Sequence, residues 1–341
     1  MKAVQKRCRS EKTMAMRLII VGQPFFFYGF FATVEFMEII RADCMGFCAG
    51  VRRAVMTANK ALGENKSGRV YTFGPLIHNP VALKEFEKRG LGILQTENIA
   101  SLKKEDTVVV RAHGVSPDIY EALKKTGALI LDGTCPIVQT NQKKCADFAG
   151  KGYVIFFTGD KNHGEVEGIE GAARQSASLN SVPLNFFLIK SKEEAEALAE
   201  KISAEKDFCS REQKVVLMSQ TTFSIKVFEQ ISICLKEKFP SLEVVKSICP
   251  ATFERQSSLD KLCKTVEGIL VIGGKNSANT TRLYKKALSL GVKAAHIETP
   301  DEIPADFFEL EKIGLTAGAS TPDDVIDEVE NILRRYDKKA Q

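Results

Sequence analysis

Short apolar runs alternate along the chain with longer segments whose apolar positions recur at helical spacing. From Met37 onward, β-branched or aromatic runs such as residues 70–73 and 153–157 are each followed by an amphipathic segment. Strand-like runs that alternate with helical segments are typical of α/β proteins with parallel sheets. We therefore predict an α/β fold for residues 37–335.

A cysteine stands at three of the predicted strand-to-helix junctions. Cys48, Cys135 and Cys249 each follow a strand-like run, and a helical segment begins directly after each of them. Proline, which suits the first helical position, follows the second and third of these cysteines. A thiolate at a helix N-terminus is favoured by the helix dipole. We infer a threefold internal repeat with one cysteine in each unit.

The repeat extends to polar residues behind the next strands. His78, His163 and Ser277 lie 30, 28 and 28 residues after the three cysteines. A further strand in each unit ends in a polar loop, and these loops contain His113, Thr221 and Ser320. Ligands of open parallel sheets bind beyond the carboxyl ends of strands. The pattern predicts one central cavity ringed by three thiols and these polar side chains.

The repeat also divides the chain. We predict a first α/β domain at residues 37–133, a second at 134–247 and a third at 248–335, followed by a tail at 336–341. The first strand of the chain is expected to pack with the third domain. This arrangement would place three small parallel sheets around one centre.

Residues 1–36 differ from the rest. They carry six Lys or Arg against two Glu, and their apolar, phenylalanine-rich part is interrupted by Gln23, Pro24 and Glu35. No small-residue cleavage site is clear, and a strand-like run follows directly. We interpret them as an extension, either disordered or the product of a mis-assigned upstream start; a membrane anchor or targeting segment and a packed segment are the alternatives.

Charge and cysteine content argue against a nucleic-acid-binding protein and against a secreted disulfide-rich protein. The net charge is +5, and residues 1–36 contribute +4 of it, so no basic patch indicates a nucleic-acid partner. Nine scattered cysteines without a CxxC pair do not form the pattern of a secreted disulfide framework. A reducing cytoplasm, and no membrane, is the interpretation that fits best.

Three converging cysteines favour an iron–sulfur cluster, because soft thiolates select it. Three ligands instead of four would leave one iron open to a substrate oxygen. Ordinary buried cysteines are the alternative, and Cys44, four residues before Cys48, is a second candidate ligand. The cysteines that lie within helical patterns are expected to be core residues: Cys145, Cys209, Cys234 and Cys263.

Two further stretches carry candidate chemistry. The glycine-rich loop 273–280 precedes a helix that is predicted to begin near Arg282, and such a loop suits a phosphate. Glu165 could act as a proton donor if burial raised its pKa, although a solvated loop carboxylate is the competing interpretation. His296 lies in a strand-like run and is expected to be structural.

Nine short motifs in order carry a family resemblance. They are GFCAGV (46–51), IHN (77–79), AHGVS (112–116), TCP (134–136), HGEVEG (163–168), SQTT (219–222), ICPAT (248–252), GGKNSAN (273–279) and TAGAS (316–320). Over residues 37–335 the chain resembles the 4-hydroxy-3-methylbut-2-enyl diphosphate reductases (LytB family) of the non-mevalonate isoprenoid pathway. Ala278 and Gly164 depart from the family pattern, since many relatives have serine and proline there.

The resemblance implies a trefoil-like fold of three pseudo-repeated domains around one 4Fe–4S cluster per chain. Cys48, Cys135 and Cys249 would hold the cluster, whose open iron takes the substrate oxygen. Glu165, helped by Thr221, would deliver a proton to the leaving hydroxyl. The residues that would line the pocket for the allylic diphosphate substrate are His78, His113, His163, Thr221, Ser277, Asn279 and Ser320. Electrons would come from ferredoxin or flavodoxin, and the products would be isopentenyl and dimethylallyl diphosphate.

Two other functions stay open from the residues. An enzyme of the quinolinate synthase type also surrounds an open-iron cluster with three α/β domains, but it needs a dicarboxylate site. A non-enzymatic iron–sulfur electron carrier or sensor would have no buried polar ring around its cluster.

Overall fold

Three four-stranded parallel sheets form the framework of the protein in a computed structural model that describes residues 37–65, 67–204 and 214–336. The strands, in chain order, are β1 (Glu38–Arg41), β2 (Val70–Phe73), β3 (Leu91–Leu94), β4 (Thr107–Val110), β5 (Leu129–Asp132), β6 (Val154–Thr158), β7 (Asn185–Ile189), β8 (Val215–Ser219), β9 (Glu243–Val244), β10 (Gly268–Ile272), β11 (Lys293–Ile297) and β12 (Lys312–Ala317).

Helices connect the strands as parallel pairing requires. The described helices are α1 (Ala49–Glu64), α2 (Pro80–Lys88), α3 (Pro117–Lys125), α4 (Pro136–Gly150), α5 (Gly164–Leu179), α6 (Lys192–Ala204), α7 (Ile225–Lys238), α8 (Pro250–Leu262), α9 (Ala278–Ser289) and α10 (Asp323–Arg335). Short 3₁₀ segments lie at Thr96–Ser101, Pro300–Glu302 and Ala305–Phe307. The predicted α/β class with three small parallel sheets is confirmed.

The three sheets share one strand order. It is β3-β2-β4-β5 in the first, β7-β6-β8-β9 in the second and β11-β10-β12-β1 in the third. The first strand of the chain therefore completes the third sheet, where Arg41 of β1 lies opposite Leu315 of β12. Each cysteine junction follows the fourth strand of one sheet and leads into the next unit, which closes the repeat into a ring. The domain limits stay a prediction, since the described residues belong to one compact unit.

The central strands are apolar on both faces because helices cover both faces of each sheet. In β6, Phe156 packs into a cluster with α6 and α7, whereas the next residue, Phe157, packs into a cluster with α4 and α5. Both side chains are completely buried. This two-sided burial fixes the strands, so that the loops at their carboxyl ends keep a defined geometry.

Three predictions fall outside the described residues. These are the interpretation of residues 1–36 as an extension, the placement of Cys209 in a helix, and the tail at 336–341, of which only residue 336 is described. Within the described part of the chain, no helix has both the length and the apolar character needed to cross a membrane.

Candidate active site

The three cysteines occupy equivalent positions, as the N-caps of α1, α4 and α8. The backbone N–H of each donates to the carbonyl oxygen two residues beyond the third strand of a sheet. The acceptors are Ala319 for Cys48 at 3.1 Å, Ala112 for Cys135 at 3.0 Å and Thr221 for Cys249 at 2.9 Å. One backbone hydrogen bond, repeated three times, thus ties each thiol-bearing turn to a polar loop.

All candidate site residues from the sequence except Cys44 line one central cavity. They are Cys48, His78, His113, Cys135, His163, Glu165, Thr221, Cys249, Ser277, Asn279 and Ser320. Cys44 is not among the lining residues; it lies half-buried, and its backbone N–H donates to Ser258 Oγ at 3.3 Å. The structure therefore brings the residues of the repeat together with Glu165 and Asn279, and it leaves the second candidate ligand, Cys44, outside the cavity.

The thiol side of this cavity suits a compact sulfur-bound group. Cys48, Cys135 and Cys249 are free and half-buried. A Cβ atom on Gly50 would lie 2.7 Å from Cys135 Sγ, so only glycine lets α1 approach the second cysteine this closely. Burial raises the pKa of the Cys249 thiol, and the Cys48 and Cys135 thiols raise it further. Three free, half-buried thiols that line one cavity are a donor set for an iron–sulfur cluster.

Glu165 lies in the first turn of α5 and is 1% exposed. Its Oε1 accepts the backbone N–H of Thr221 at 2.7 Å, and its Oε2 accepts the Thr221 hydroxyl at 2.8 Å. Burial raises the pKa of Glu165 to about 7, although the two hydrogen bonds from Thr221 lower it. A carboxyl group with this pKa holds or releases a proton near neutral pH. The solvated-loop interpretation of Glu165 is wrong.

Three histidines meet on another side of the cavity. Ring centroids are 4.9 Å apart for His78 and His113, 5.0 Å for His113 and His163, and 6.0 Å for His78 and His163. Burial lowers the pKa of His78 and of His163 to about 4 and that of His113 well below its ordinary value. These imidazoles are therefore neutral at physiological pH.

The histidines are close enough to bind a metal ion, since one nitrogen from each lies within 4.8 Å of the others. However, His163 caps α5, and its Nδ1 accepts the backbone N–H of Glu165 at 3.2 Å. In the neutral ring the proton is then on Nε2, which is a donor and not a metal ligand. Arg111 adds a positive charge that acts on all three rings. The cluster therefore suits an anion better than a cation.

The third unit supplies small polar side chains. The helix after loop 273–280 begins at Ala278, so the prediction of a start near Arg282 is wrong; Ser277 is the N-cap, and its Oγ accepts the Thr280 N–H at 3.3 Å. This earlier start places Asn279 in the first helical turn, 6% exposed, with a buried Nδ2 that has no partner among the described residues.

Ser320 joins the third unit to the first. Its hydroxyl donates to the backbone oxygen of His78 at 3.2 Å. His296 is half-buried in β11, where its Nε2 contacts the backbone oxygen of Gly273 at 2.9 Å, so it has the structural position that its strand-like surroundings predicted.

Sequence reasoning missed Arg255, which lines the cavity from α8 and is 3% exposed. Its Nη2 donates to the Gly46 oxygen at 2.6 Å, and its Nη1 donates to the Ala251 oxygen at 3.1 Å, while its buried Nε has no partner in the described chain. The bond to Gly46 ties α8 to the turn before Cys48. The one available signal was its position six residues after Cys249, on a helix that a candidate ligand begins.

Comparison with known proteins agrees with this geometry. A sequence profile of the family described as LytB protein matches residues 39–334. The 4-hydroxy-3-methylbut-2-enyl diphosphate reductase of Treponema denticola is 42% identical over 302 residues, which cover 87% of this chain and 99% of that protein.

Two solved structures are also similar. One, the E-1-hydroxy-2-methyl-but-2-enyl-4-diphosphate reductase from Plasmodium falciparum, has a TM-score of 0.76 at 27% identity, covering 87% of this chain and 88% of that one. The other, an (E)-4-hydroxy-3-methyl-but-2-enyl diphosphate reductase described as the terminal enzyme of the non-mevalonate pathway, has a TM-score of 0.63 at 34% identity, covering 88% and 100%. The chain belongs to the LytB protein family.

Proposed function

We propose that this protein reduces (E)-4-hydroxy-3-methylbut-2-enyl diphosphate to isopentenyl and dimethylallyl diphosphate. The substrate takes up two electrons and two protons, its C4–O bond breaks, and the oxygen leaves as water. The observation that carries this proposal is the buried carboxyl of Glu165, which lines the same cavity as three cysteines and a ring of histidine, serine and asparagine side chains. Membership of the LytB family favours this function over a dicarboxylate enzyme of the quinolinate synthase type or an electron carrier.

Cys48, Cys135 and Cys249 are proposed to hold one 4Fe–4S cluster per chain. When bound, such a cluster supplies electrons one at a time and an open iron that acts as a Lewis acid. The three free thiols and the close approach of Gly50 to Cys135 support this assignment. A reducing compartment such as the cytoplasm would keep these thiols available.

Glu165 is proposed to deliver a proton to the leaving hydroxyl, with Thr221 as its partner. After the proton has left, the Thr221 hydroxyl and backbone N–H stabilise the carboxylate through the two hydrogen bonds described above. When the carboxyl is protonated, the hydroxyl can turn and accept, because a hydroxyl group both donates and accepts. The pair therefore accommodates both protonation states without moving other groups.

The diphosphate is proposed to lie among neutral donors. His78, His113 and His163 offer imidazole N–H groups, and the third unit offers Ser277, Asn279 and Ser320. The unpartnered Nδ2 of Asn279 leaves a buried donor that a phosphate oxygen would satisfy. Electrons are proposed to arrive from a one-electron carrier protein, ferredoxin or flavodoxin, since each turnover needs two single transfers.

The test uses holoenzyme purified without oxygen. It is mixed with 4-hydroxy-3-methylbut-2-enyl diphosphate and a chemical one-electron donor, and the products are separated by chromatography. Both five-carbon diphosphates are expected, with one water formed for every two electrons consumed. An intact cluster spectrum without turnover would exclude the proposed reaction.

A further inference from the structure

A groove beside the three histidines is lined by four cationic side chains. We call it the basic groove, and its cations are Arg111, Lys161, Arg282 and Lys285. Asp160 is the one acidic residue among those that line it. His78, His163 and Ala278 line both this groove and the central cavity. The groove therefore adjoins the cavity on the side of the histidines.

The charges of the basic groove are only partly neutralised. Arg282 Nη2 pairs with Asp160 at 2.5 Å, and its Nη1 donates to the Thr222 backbone oxygen at 3.2 Å. Lys161 and Lys285 are exposed, and no ion pair forms at either of them within the described chain. Three of the four cations thus remain available to an incoming anion.

Arg111 is the innermost of these cations. Its Nε is buried and has no hydrogen-bond partner among the described residues. Burial lowers the pKa of Arg111, while the Glu167 carboxylate raises it. A buried guanidinium N–H without an acceptor costs free energy that a bound anion would recover.

The backbone beside Arg111 is shaped to admit its side chain. A Cβ atom on Gly164 would lie 2.2 Å from Arg111 Nη2, so a larger residue there would displace the guanidinium. Glycine at the start of α5 thereby keeps the charge close to His163 and to the wall shared with the cavity. The guanidinium fork matches the geometry of phosphate oxygens.

The donors proposed for the central cavity do not explain how an anion is attracted to it from a distance. Its proposed diphosphate donors are neutral side chains, and neutral donors orient an anion but attract it weakly from a distance. A groove with a net positive charge that adjoins two of the same histidines would supply the missing attraction. Its charges would also compensate the diphosphate while it loses its water shell.

We propose that the basic groove is an outer anion site, where the diphosphate group binds before it moves past His78 and His163 into the cavity. This inference rests on the proposed function for its natural ligand, but inorganic diphosphate is a probe that needs no turnover. Arg111 is the anchor of the site, and Lys161 and Lys285 provide long-range attraction.

The first experiment reverses the two exposed charges with K161E/K285E in the holoenzyme. We expect kcat/KM to fall roughly tenfold at low salt with kcat nearly unchanged, and the loss to shrink as salt screens the charges. The matched control is K104E/K264E, which changes the same net charge at exposed residues near the amino ends of β4 and β10. An equal loss in both double variants, or a loss of kcat as large as that of kcat/KM, would overturn the proposal.

The second experiment measures binding of inorganic diphosphate to holoenzyme by calorimetry. R111Q should weaken binding at least severalfold, and R111K should recover part of it, since lysine restores the charge but not the fork. K161E/K285E should weaken binding in the same salt-dependent way as it lowers kcat/KM. Unchanged affinity in both R111Q and K161E/K285E would refute the outer site. If wild-type protein binds diphosphate through this groove but does not turn over the allylic substrate, the proposed function fails while the site stands.

Discussion

The second and third units place different side chains on the same scaffold. His163 lies five residues beyond the end of β6, Ser277 lies five residues beyond the end of the equivalent strand β10, and each caps the helix that follows. Two residues further, Glu165 has both carboxylate oxygens bonded to Thr221, whereas the equivalent Asn279 has a buried Nδ2 without a partner. The second unit thus forms a closed pair that can store a proton, and the third leaves a donor open for a ligand.

The cysteines do not follow this divergence. All three cap a helix, and all three donate the same backbone hydrogen bond to a neighbouring loop. A group with threefold character can be held by the same residue type at the equivalent position of each unit. An elongated substrate with a phosphate end and a reacting end needs different residue types at equivalent positions. The comparison supports our proposal that the shared positions hold the cofactor and the diverged positions serve the substrate.

The largest effect is expected from C135S, which removes one of the three equivalent cysteines. A serine oxygen is a poor ligand for an iron–sulfur cluster, so iron content and turnover should both be lost. Iron analysis and the visible spectrum of protein purified without oxygen measure this. C44S and C263S are the controls and should keep the cluster. An unchanged spectrum in C135S together with a lost spectrum in C44S would move the ligand to Cys44.

The next largest effect separates the two diverged positions. E165Q removes the proton but keeps an acceptor for Thr221, so kcat should fall by roughly 10²–10⁴ while the cluster spectrum is unchanged. E170Q, on the exposed side of the same helix, is the control and should behave like the wild type. Near-normal kcat in E165Q would remove this carboxyl from the reaction.

The opposite signature is expected at the equivalent position of the third unit. N279A would remove the proposed hydrogen bond to the diphosphate. A hydrogen bond to a charged group is worth about 1.5–3 kcal/mol, so KM should rise about tenfold or more with a smaller change in kcat. N180A, an exposed asparagine at the end of α5, serves as the control. A kcat loss in N279A as large as that in E165Q would erase the distinction between the two units.

The smallest effect is expected in the pH dependence of kcat, which reports the pKa of Glu165. If the neutral carboxyl of Glu165 is the proton donor, as we propose, kcat should decline as the pH rises through about 7, the pKa to which burial raises Glu165. The Thr221 hydrogen bonds lower this pKa, so T221V should move the decline to higher pH. A pH–rate profile for each protein measures the shift, and a decline that moves to lower pH in T221V would contradict the assignment.

Most of the residues that line the site, though not Arg255, were predictable because parallel α/β units repeat at regular spacing. Periodicity located the strand ends, and the cysteine-to-polar distances of 30, 28 and 28 residues aligned the three units. Even the return of the first strand to the third sheet follows from the ring that three equivalent cysteines require.

The protonation states were not predictable, because they depend on distant partners. Glu165 owes its state to burial and to Thr221, which is 56 positions away in the sequence. Arg111 owes its place to the space left by Gly164 on another unit. Local sequence patterns do not indicate such long-range contacts.

The start of α9 was predicted four residues late because Ser277 was not recognised as the N-cap.

We propose that Cys48, Cys135 and Cys249 hold one cluster with an iron left for the substrate. The most direct test is the iron and sulfide content per chain of protein purified without oxygen, followed by Mössbauer spectroscopy with and without substrate. We predict about four irons and four sulfides, with one iron whose signal changes when substrate binds. A cluster-free protein, or four irons that all ignore the substrate, would contradict the account.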